Sequence, residues 1–358
     1  MNNPLPFGST IGILGGGQLG RMLSVAAARL GYKTHIFEPA ANPPAAHVAD
    51  RVTTAAYEDL EALHAFAASV DIVTYEFENV PTSALDAIEE HVLLRPNREA
   101  LRISQDRLTE KSFLQDLGLK TAPFANVESQ EDLEQAVAQL GMPSILKTRR
   151  FGYDGKGQLR LSDAADLAGA FDAVGRAPSV LEGFVEFTCE ISIIVARNVE
   201  GEVACFDPAQ NVHEGGILRT STVPATVPQR LIMDGVLLAG QIVRALEYVG
   251  VMGVELFVTP SELIVNEIAP RVHNSGHWTQ NGCGVDQFEQ HIRAVTGHPL
   301  GDGQRYANVV MENIIGSDMH KLPEYIKEPN ACVHLYGKDD MREGRKMGHV
   351  NLISALSK

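Results

Sequence analysis

The feature that most constrains this chain is a glycine turn between a strand and a helix. The apolar run Thr10–Leu14 leads into Gly15-Gly16-Gly17-Gln18-Leu19-Gly20, after which Leu19, Met22, Leu23, Ala26 and Leu30 recur at helical spacing. A second strand is predicted at Lys33–Glu38 and a later one at Asp71–Phe77, broken by Pro81. This β-α-β order predicts a parallel, doubly wound sheet for the N-terminal part of the chain. The turn fits G-x-G-x-x-G, whose backbone N–H groups can approach phosphate, and Glu38 could then hold a ribose hydroxyl. As a Walker A it fails at its end, where Arg21-Met22 replaces Lys-Ser/Thr. A tight turn with no ligand is the plainer alternative.

Further along, Gln105–Gly118 reads as a helix, and Ser129 to Asp132 has capping-box spacing before Leu133, Ala136, Val137 and Leu140. Ser144–Thr148 reads as a strand that enters a second glycine-rich segment, Arg149–Gly157. Beyond it the pattern changes. Val180–Val185, Glu190–Arg197, Glu202–Phe206, Met252–Thr259 and Leu263–Ile268 read as strands joined by short turns, an antiparallel α+β arrangement. The segment after about Gly297 reads as short and rich in turns. The chain's 358 residues, 44% of them hydrophobic, suffice for two or three domains.

The balance of 30 basic to 45 acidic residues, a formal charge of −15, repels nucleic acid and anionic membrane surfaces. A few local cations can still hold an anionic small molecule. Cys189, Cys205, Cys283 and Cys332 form no C-x-x-C pair and fit reduced thiols. The opening MNNPLPFGST lacks a signal-peptide pattern, and no apolar stretch is long enough to span a bilayer. A soluble, cytoplasmic protein is expected.

Three further constellations carry chemistry. Lys147 on a strand precedes Gly152-Tyr153-Asp154-Gly155-Lys156-Gly157-Gln158, a flexible loop with its own lysine, which suits a lid over triphosphate better than an ordinary basic hairpin. Glu255 and Asn266-Glu267 lie in apolar strands around the turn Thr259-Pro260-Ser261. A loop of odd length would set Glu255 opposite Glu267, an even one opposite Asn266. In either case two carboxylates come close, and a hard cation such as magnesium would relieve their repulsion. Two glutamates facing water independently are the competing reading. Finally, Ala269-Pro270-Arg271-Val272-His273-Asn274-Ser275-Gly276-His277-Trp278 invites a zinc reading at His273 and His277. It fails, because H-N-S-G-H lacks the glutamate of H-E-x-x-H and is a poor helix. A polar strand-end loop beside the cation fits better.

Together these residues resemble the ATP-grasp superfamily, and the match narrows to the N5-carboxyaminoimidazole ribonucleotide synthetases. It is carried by GGGQLGRM, YEFENV, DRLTEK, LKTRRFGYDGKGQ, NVHEGGILRT, VELFVTP, NEIAPRVHNSGHWTQNG and GRKMGHVN, in the family's order along nearly the whole chain. The resemblance implies a mixed α/β and α+β protein: a Rossmann-like (pre-ATP-grasp) domain over 1–104, an ATP-grasp domain over 105–297 and a small C-terminal domain over 298–358. It implies that bicarbonate attacks the γ-phosphate of ATP to give carboxyphosphate, and that the amine of 5-aminoimidazole ribonucleotide takes the carboxyl group. Magnesium, with manganese as a substitute, and a homodimer are implied as well. Arg107, Lys147 and the loop Gly152–Gln158 would contact ATP phosphates, Glu182, Gly183, Phe184 and Val185 the adenine, and Glu190 the ribose, with His213 nearby. Glu255 and Glu267 would ligate the metal beside Asn266. Arg271 would hold bicarbonate or carboxyphosphate and form the catalytic set with Lys156 and Asp154. By analogy with the related formate-dependent glycinamide ribonucleotide transformylase, Gln18, Leu19, Glu76, Asn274, Lys338, Arg345 and Lys346 would bind the ribonucleotide, and Tyr153 and His273 are expected in the same site. The last three cations suit a phosphate clamp in an acidic protein, or else a solvated basic loop.

Three rival readings remain at this level. A nicotinamide-dependent dehydrogenase rests on Gly15–Gly20 and Glu38 but leaves the second glycine loop and the carboxylate pair unexplained. The formate-dependent transformylase shares the fold. A non-catalytic nucleotide-binding regulator is disfavoured, because every expected phosphate and metal position carries a competent residue.

Overall fold

The computed structural model describes residues 4–152 and 155–356. The N-terminal sheet contains Arg51–Thr53, Lys33–Phe37, Thr10–Leu14 and Ile72–Tyr75 in that order, all parallel, with the first strand in the interior. Thr10–Leu14 and Ile72–Tyr75 are largely apolar and buried, as a parallel sheet covered on both faces requires, whereas the edge strand Arg51–Thr53 is exposed. The helix Gln18–Arg29 follows the glycine turn directly and buries Leu19, Met22, Leu23, Ala26 and Ala27.

The central sheet runs Leu263–Ala269, Gly250–Val258, Cys189–Arg197, Ala209–Glu214, Ile217–Val223, Asn308–Ile315, Lys346–Ser354, Ala331–Leu335, antiparallel at every step. A smaller antiparallel sheet, Phe124–Val127, Ser179–Gly183, Ser144–Thr148 and Gln158–Leu161, carries the second glycine loop between its last two strands. The segment after Gly297 differs from its turn-rich reading. It contributes strands of eight, five and nine residues that continue the central sheet.

The first sheet domain is fixed against the centre. Arg29 on its first helix pairs with Asp286 at 3.0 Å and Glu289 at 2.8 Å, Thr74 Oγ1 bonds His291 Nε2 at 2.8 Å, and Arg95 donates to Val295 O at 2.9 Å. Ile11, Leu23 and Ile36 share one buried cluster with Trp278, Ile292 and Val295. Residues at the C-terminal ends of the parallel strands are thereby held over the central sheet.

Candidate active site

The first glycine turn departs from its phosphate reading. Gly16 N–H donates to Glu38 Oε2 at 2.8 Å and Gly17 N–H to Glu76 Oε1 at 2.6 Å. Glu38 also accepts from Ala40 N–H at 3.0 Å, so it serves the turn itself rather than a ribose. A Cβ on Gly15 would meet Glu76 Cγ at 2.8 Å, and one on Gly16 would meet Pro43 Cβ at 2.7 Å. The glycines let two carboxylates approach the backbone, and these take up the Gly16 and Gly17 N–H groups. Gln18 opens the helix, Leu19 is buried beneath the turn, and half-buried Glu76 stands at its mouth. Burial raises the Glu76 carboxyl to about 7, against the pull of the Gly17 N–H and Arg271.

The second glycine segment closes on itself. Thr148 N–H donates to Gly157 O at 2.8 Å, and Gln158 begins the return strand opposite Lys147. Gly155 and Gly157 have φ of +77° and +71°, and a Cβ on Gly157 would lie 2.6 Å from Thr148 Oγ1. Gly152 and Lys156 flank this turn, while Tyr153 and Asp154, named from the sequence for the same loop, lie outside the described residues.

The strand that leads into this turn carries one member of a buried charge array. Lys147 Nζ lies 2.9 Å from Glu182 Oε2, and Lys111 Nζ lies 3.2 Å from Glu182 Oε1. Burial would raise the Glu182 carboxyl, but the two ammonium groups outweigh it and hold it below its usual range. Burial, with Arg107 and Lys111 nearby, lowers Lys147. Gly183 ends the strand that carries Glu182, followed by Val185 and by an exposed Phe184 whose ring has Arg160 at 4.7 Å. Glu190 and His213 form an ion pair across adjacent strands. Burial opposes the charged imidazole of His213, and the Glu190 carboxylate raises its pKa nonetheless.

Glu255 stands directly opposite Glu267 on the paired strands. Arg107 Nη1 reaches Glu267 Oε2 at 3.1 Å, and His273 Nε2 lies 3.6 Å from Glu255 Oε1. Burial and the facing Glu267 raise Glu255 to about 7. Burial acts on Glu267 in the same direction, but Arg107 and Lys147 hold it below its usual range. Next to them, Asn266 Oδ1 is buried and has no hydrogen-bond partner. Glu190, Asn211, Glu255 and Asn266 line one small recess between the strands.

Arg271 follows the same strand and pairs with Glu78 at 3.0 Å. His273 Nδ1 bonds Ser275 Oγ at 2.8 Å; burial first, and Arg271 second, keep its imidazole neutral. His277 Nδ1 bonds Gln287 Nε2 at 2.9 Å in the interior, and the same Gln287 side chain also bonds the His273 backbone, accepting from its N–H at 2.9 Å and donating to its O at 2.8 Å. Asn274 exchanges two amide hydrogen bonds with Asn313, at 3.0 and 2.9 Å. Among the C-terminal cations, Lys338 Nζ donates to Lys346 O at 2.8 Å, and Arg345 donates to Asp340 O at 2.8 Å.

Sequence reasoning passed over Glu78, Glu110, Lys111, Asn211 and Asn313. The first four lie within or beside quoted strings. The i, i+3, i+4 spacing of Arg107, Glu110 and Lys111 puts them on one helix face, but nothing in the sequence marks that face as buried.

A glycine turn after a strand with a buried lysine, beside a carboxylate pair on antiparallel strands, defines an ATP-grasp ligase. Family models agree: residues 8–105 match the ribonucleotide synthetase preATP-grasp domain, 112–288 the ATP-grasp domain, and 309–357 the phosphoribosylaminoimidazole carboxylase C-terminal domain. The N5-carboxyaminoimidazole ribonucleotide synthase of Brucella melitensis is 55% identical over 97% of this chain and 96% of its own. A solved ADP complex of an N5-carboxyaminoimidazole ribonucleotide synthetase superposes with a TM-score of 0.96 at 43% identity, covering 99% of this chain and 94% of that one. The Aspergillus clavatus enzyme in complex with ADP and 5-aminoimidazole ribonucleotide gives 0.92 at 31% identity, over 97% and 94%. The chain belongs to the N5-carboxyaminoimidazole ribonucleotide synthase family. It is an ATP-dependent ligase of purine biosynthesis, and the dehydrogenase, transformylase and regulator readings are set aside.

Proposed function

We propose that the chain carboxylates 5-aminoimidazole ribonucleotide with bicarbonate, through carboxyphosphate formed at the expense of ATP. The observation that carries this is the convergence of Arg107, Lys147 and Arg271 on Glu267, which faces Glu255 beside Asn266. Bicarbonate oxygen attacks the γ-phosphorus and ADP leaves. The ribonucleotide amine then attacks the carboxyl carbon and expels phosphate, or adds to carbon dioxide after carboxyphosphate has broken down to carbon dioxide and phosphate; in both routes the nitrogen gives up one proton.

Arg107 and Lys147 would hold the phosphates, with the loop Gly152–Gln158, including Lys156 and Asp154, closing over them. Glu182 to Val185 would receive adenine and Glu190 the ribose, with His213 fixing its carboxylate. Glu255, Glu267 and Asn266 Oδ1 are an all-oxygen donor set that suits magnesium, or manganese in its place, and one of these atoms is buried without a partner. When bound, the metal would offset charge on the phosphate oxygens. Arg271 would hold the bicarbonate and the developing carboxyphosphate. Glu76, poised near neutrality at the glycine turn, suits it to take a proton from the amine. Gln18, Leu19, Tyr153, His273 and Asn274 would line the ribonucleotide site, and Lys338, Arg345 and Lys346 would hold its 5′-phosphate.

The four free cysteines support a reducing cytoplasm, and the charge of −15 supports small-molecule partners over nucleic acid. A homodimer is the expected assembly, which sedimentation tests. The decisive experiment is phosphate release with ATP, magnesium, bicarbonate and the ribonucleotide, omitting each in turn. Product formation should require all four; carboxylation that continues without ATP would overturn the reading.

A further inference from the structure

The facing of Glu255 and Glu267 depends on an irregularity in the ladder. Val258 pairs with Leu263, Phe257 with Ile264 and Leu256 with Val265, a register set by the four-residue turn between them. Continued unchanged, it would place Glu255 opposite Asn266. Asn266 instead enters as one extra residue, and Glu255 meets Glu267. Without that bulge the carboxylates would not face each other, because a one-residue slip turns a side chain to the other face of the sheet.

What holds the bulge is on the outer side. Leu263–Ala269 is the terminal strand of its sheet, so its outer N–H and C=O groups lack a neighbouring strand. Val265 N–H donates to Lys120 O at 2.8 Å, and beyond it side chains take over. Lys111 Nζ donates to Asn266 O at 3.4 Å, and Glu110 Oε1 accepts from Ile268 N–H at 2.7 Å. Arg107 reaches the Glu267 carboxylate between them. One face of the helix Arg107–Asp116 thus grips residues 266, 267 and 268 in succession. Glu110 and Lys111 are 2% and 0% exposed, an unfavourable place for two charges unless each has a fixed partner. Lys111 also touches Glu182, so the grip reaches the nucleotide side.

We propose that Glu110 and Lys111 are positioning residues that hold the Asn266 bulge, and through it the register that sets Glu255 across from Glu267. The proposal rests on the reading that this pair ligates the divalent metal.

The test is Mn²⁺ binding in the presence of ADP, followed by the electron paramagnetic resonance signal of free Mn²⁺, which needs no turnover. Glu110→Gln keeps an acceptor for Ile268 N–H and should stay close to wild type. Glu110→Asp, one carbon too short, and Lys111→Met should weaken Mn²⁺ binding by on the order of tenfold. The KM for the ribonucleotide should not move, and the Ile268 amide should exchange faster in Glu110→Asp alone of the two Glu110 variants. Glu255→Gln and Glu267→Gln serve as controls for the underlying reading: if neither weakens Mn²⁺ binding, the pair is not the metal site. If both do, but Glu110→Asp and Glu110→Gln bind Mn²⁺ alike, the positioning role is overturned, whether or not Lys111→Met folds.

Discussion

Arg271 Nη2 lies 3.0 Å from Glu78 Oε1, and this pair joins the loop after the central strand Leu263–Ala269 to the segment after the parallel strand Ile72–Tyr75. The guanidinium also donates through Nη1 to Val272 O at 3.0 Å. Its fork is therefore aimed before any substrate arrives, at the place where the glycine-turn domain meets the central sheet.

Arg271→Lys keeps the charge but loses the fork. We expect kcat to fall on the order of a hundredfold, the scale for losing one donor aimed at developing charge. The KM for ATP should change little. A variant with unaltered kcat would remove Arg271 from the reacting oxygens.

Mg-ATP should slow hydrogen exchange in Arg149–Gly152 and Gly155–Gln158. Gly157→Ala forces a side chain into a φ of +71° and against Thr148 Oγ1, a strain of roughly 1–3 kcal/mol. It should abolish that protection and raise the ATP KM several-fold. Equal exchange with and without saturating Mg-ATP would rule out a lid.

Lys338→Ala and Arg345→Ala should each raise the KM for the ribonucleotide about tenfold or more, since a charge-assisted contact contributes roughly 1.5–3 kcal/mol. Lys338 Nζ donates to Lys346 O, and Arg345 is held by Asp340 through its backbone O at 2.8 Å and its carboxylate at 3.4 Å. If both grip one phosphate, the double variant will be less than additive. Initial rates against each substrate decide the matter: a rise confined to the ATP KM would place these cations in the nucleotide site.

Glu76 makes a pH prediction. Its carboxyl is raised to about 7 in the folded protein, so between the unfolded value and pH 7 the native state binds the extra proton. Stability therefore falls through this residue as pH rises across that window. Glu76→Gln has no such proton to lose. Relative to wild type it should gain stability from pH 5 to pH 8, by about 1–3 kcal/mol and toward the lower end because the group is half-buried. Denaturant midpoints at both pH values measure this, and a constant difference would show that Glu76 ionises freely.

The parts legible in the sequence were those whose burial is local. Thr10–Leu14 and Ser144–Thr148 are apolar enough to be read to the residue. The glycine turn was visible, but what fills it was not, because Glu76 arrives from 59 residues away. Loop parity left Glu255 between two partners, and the bulge at Asn266 that chooses between them has no periodic signature. The strand Lys346–Ser354 was missed for a related reason. His349 and Asn351 are fully buried in it, so its pattern does not look like a core strand.

The unbroken ladder into the C-terminal strands has a consequence during synthesis. Ile217–Val223 pairs on one side with Ala209–Glu214, but its other side must wait for Asn308–Ile315, which in turn waits for Lys346–Ser354. A ribosome-bound chain that has emerged only to residue 300 carries the second glycine loop, the lysines and both facing glutamates, yet presents a naked strand edge. Such an edge is a template for pairing with other chains. The last fifty residues thus act as a closing seam, and the enzyme becomes safe from its neighbours only as its final strands leave the tunnel.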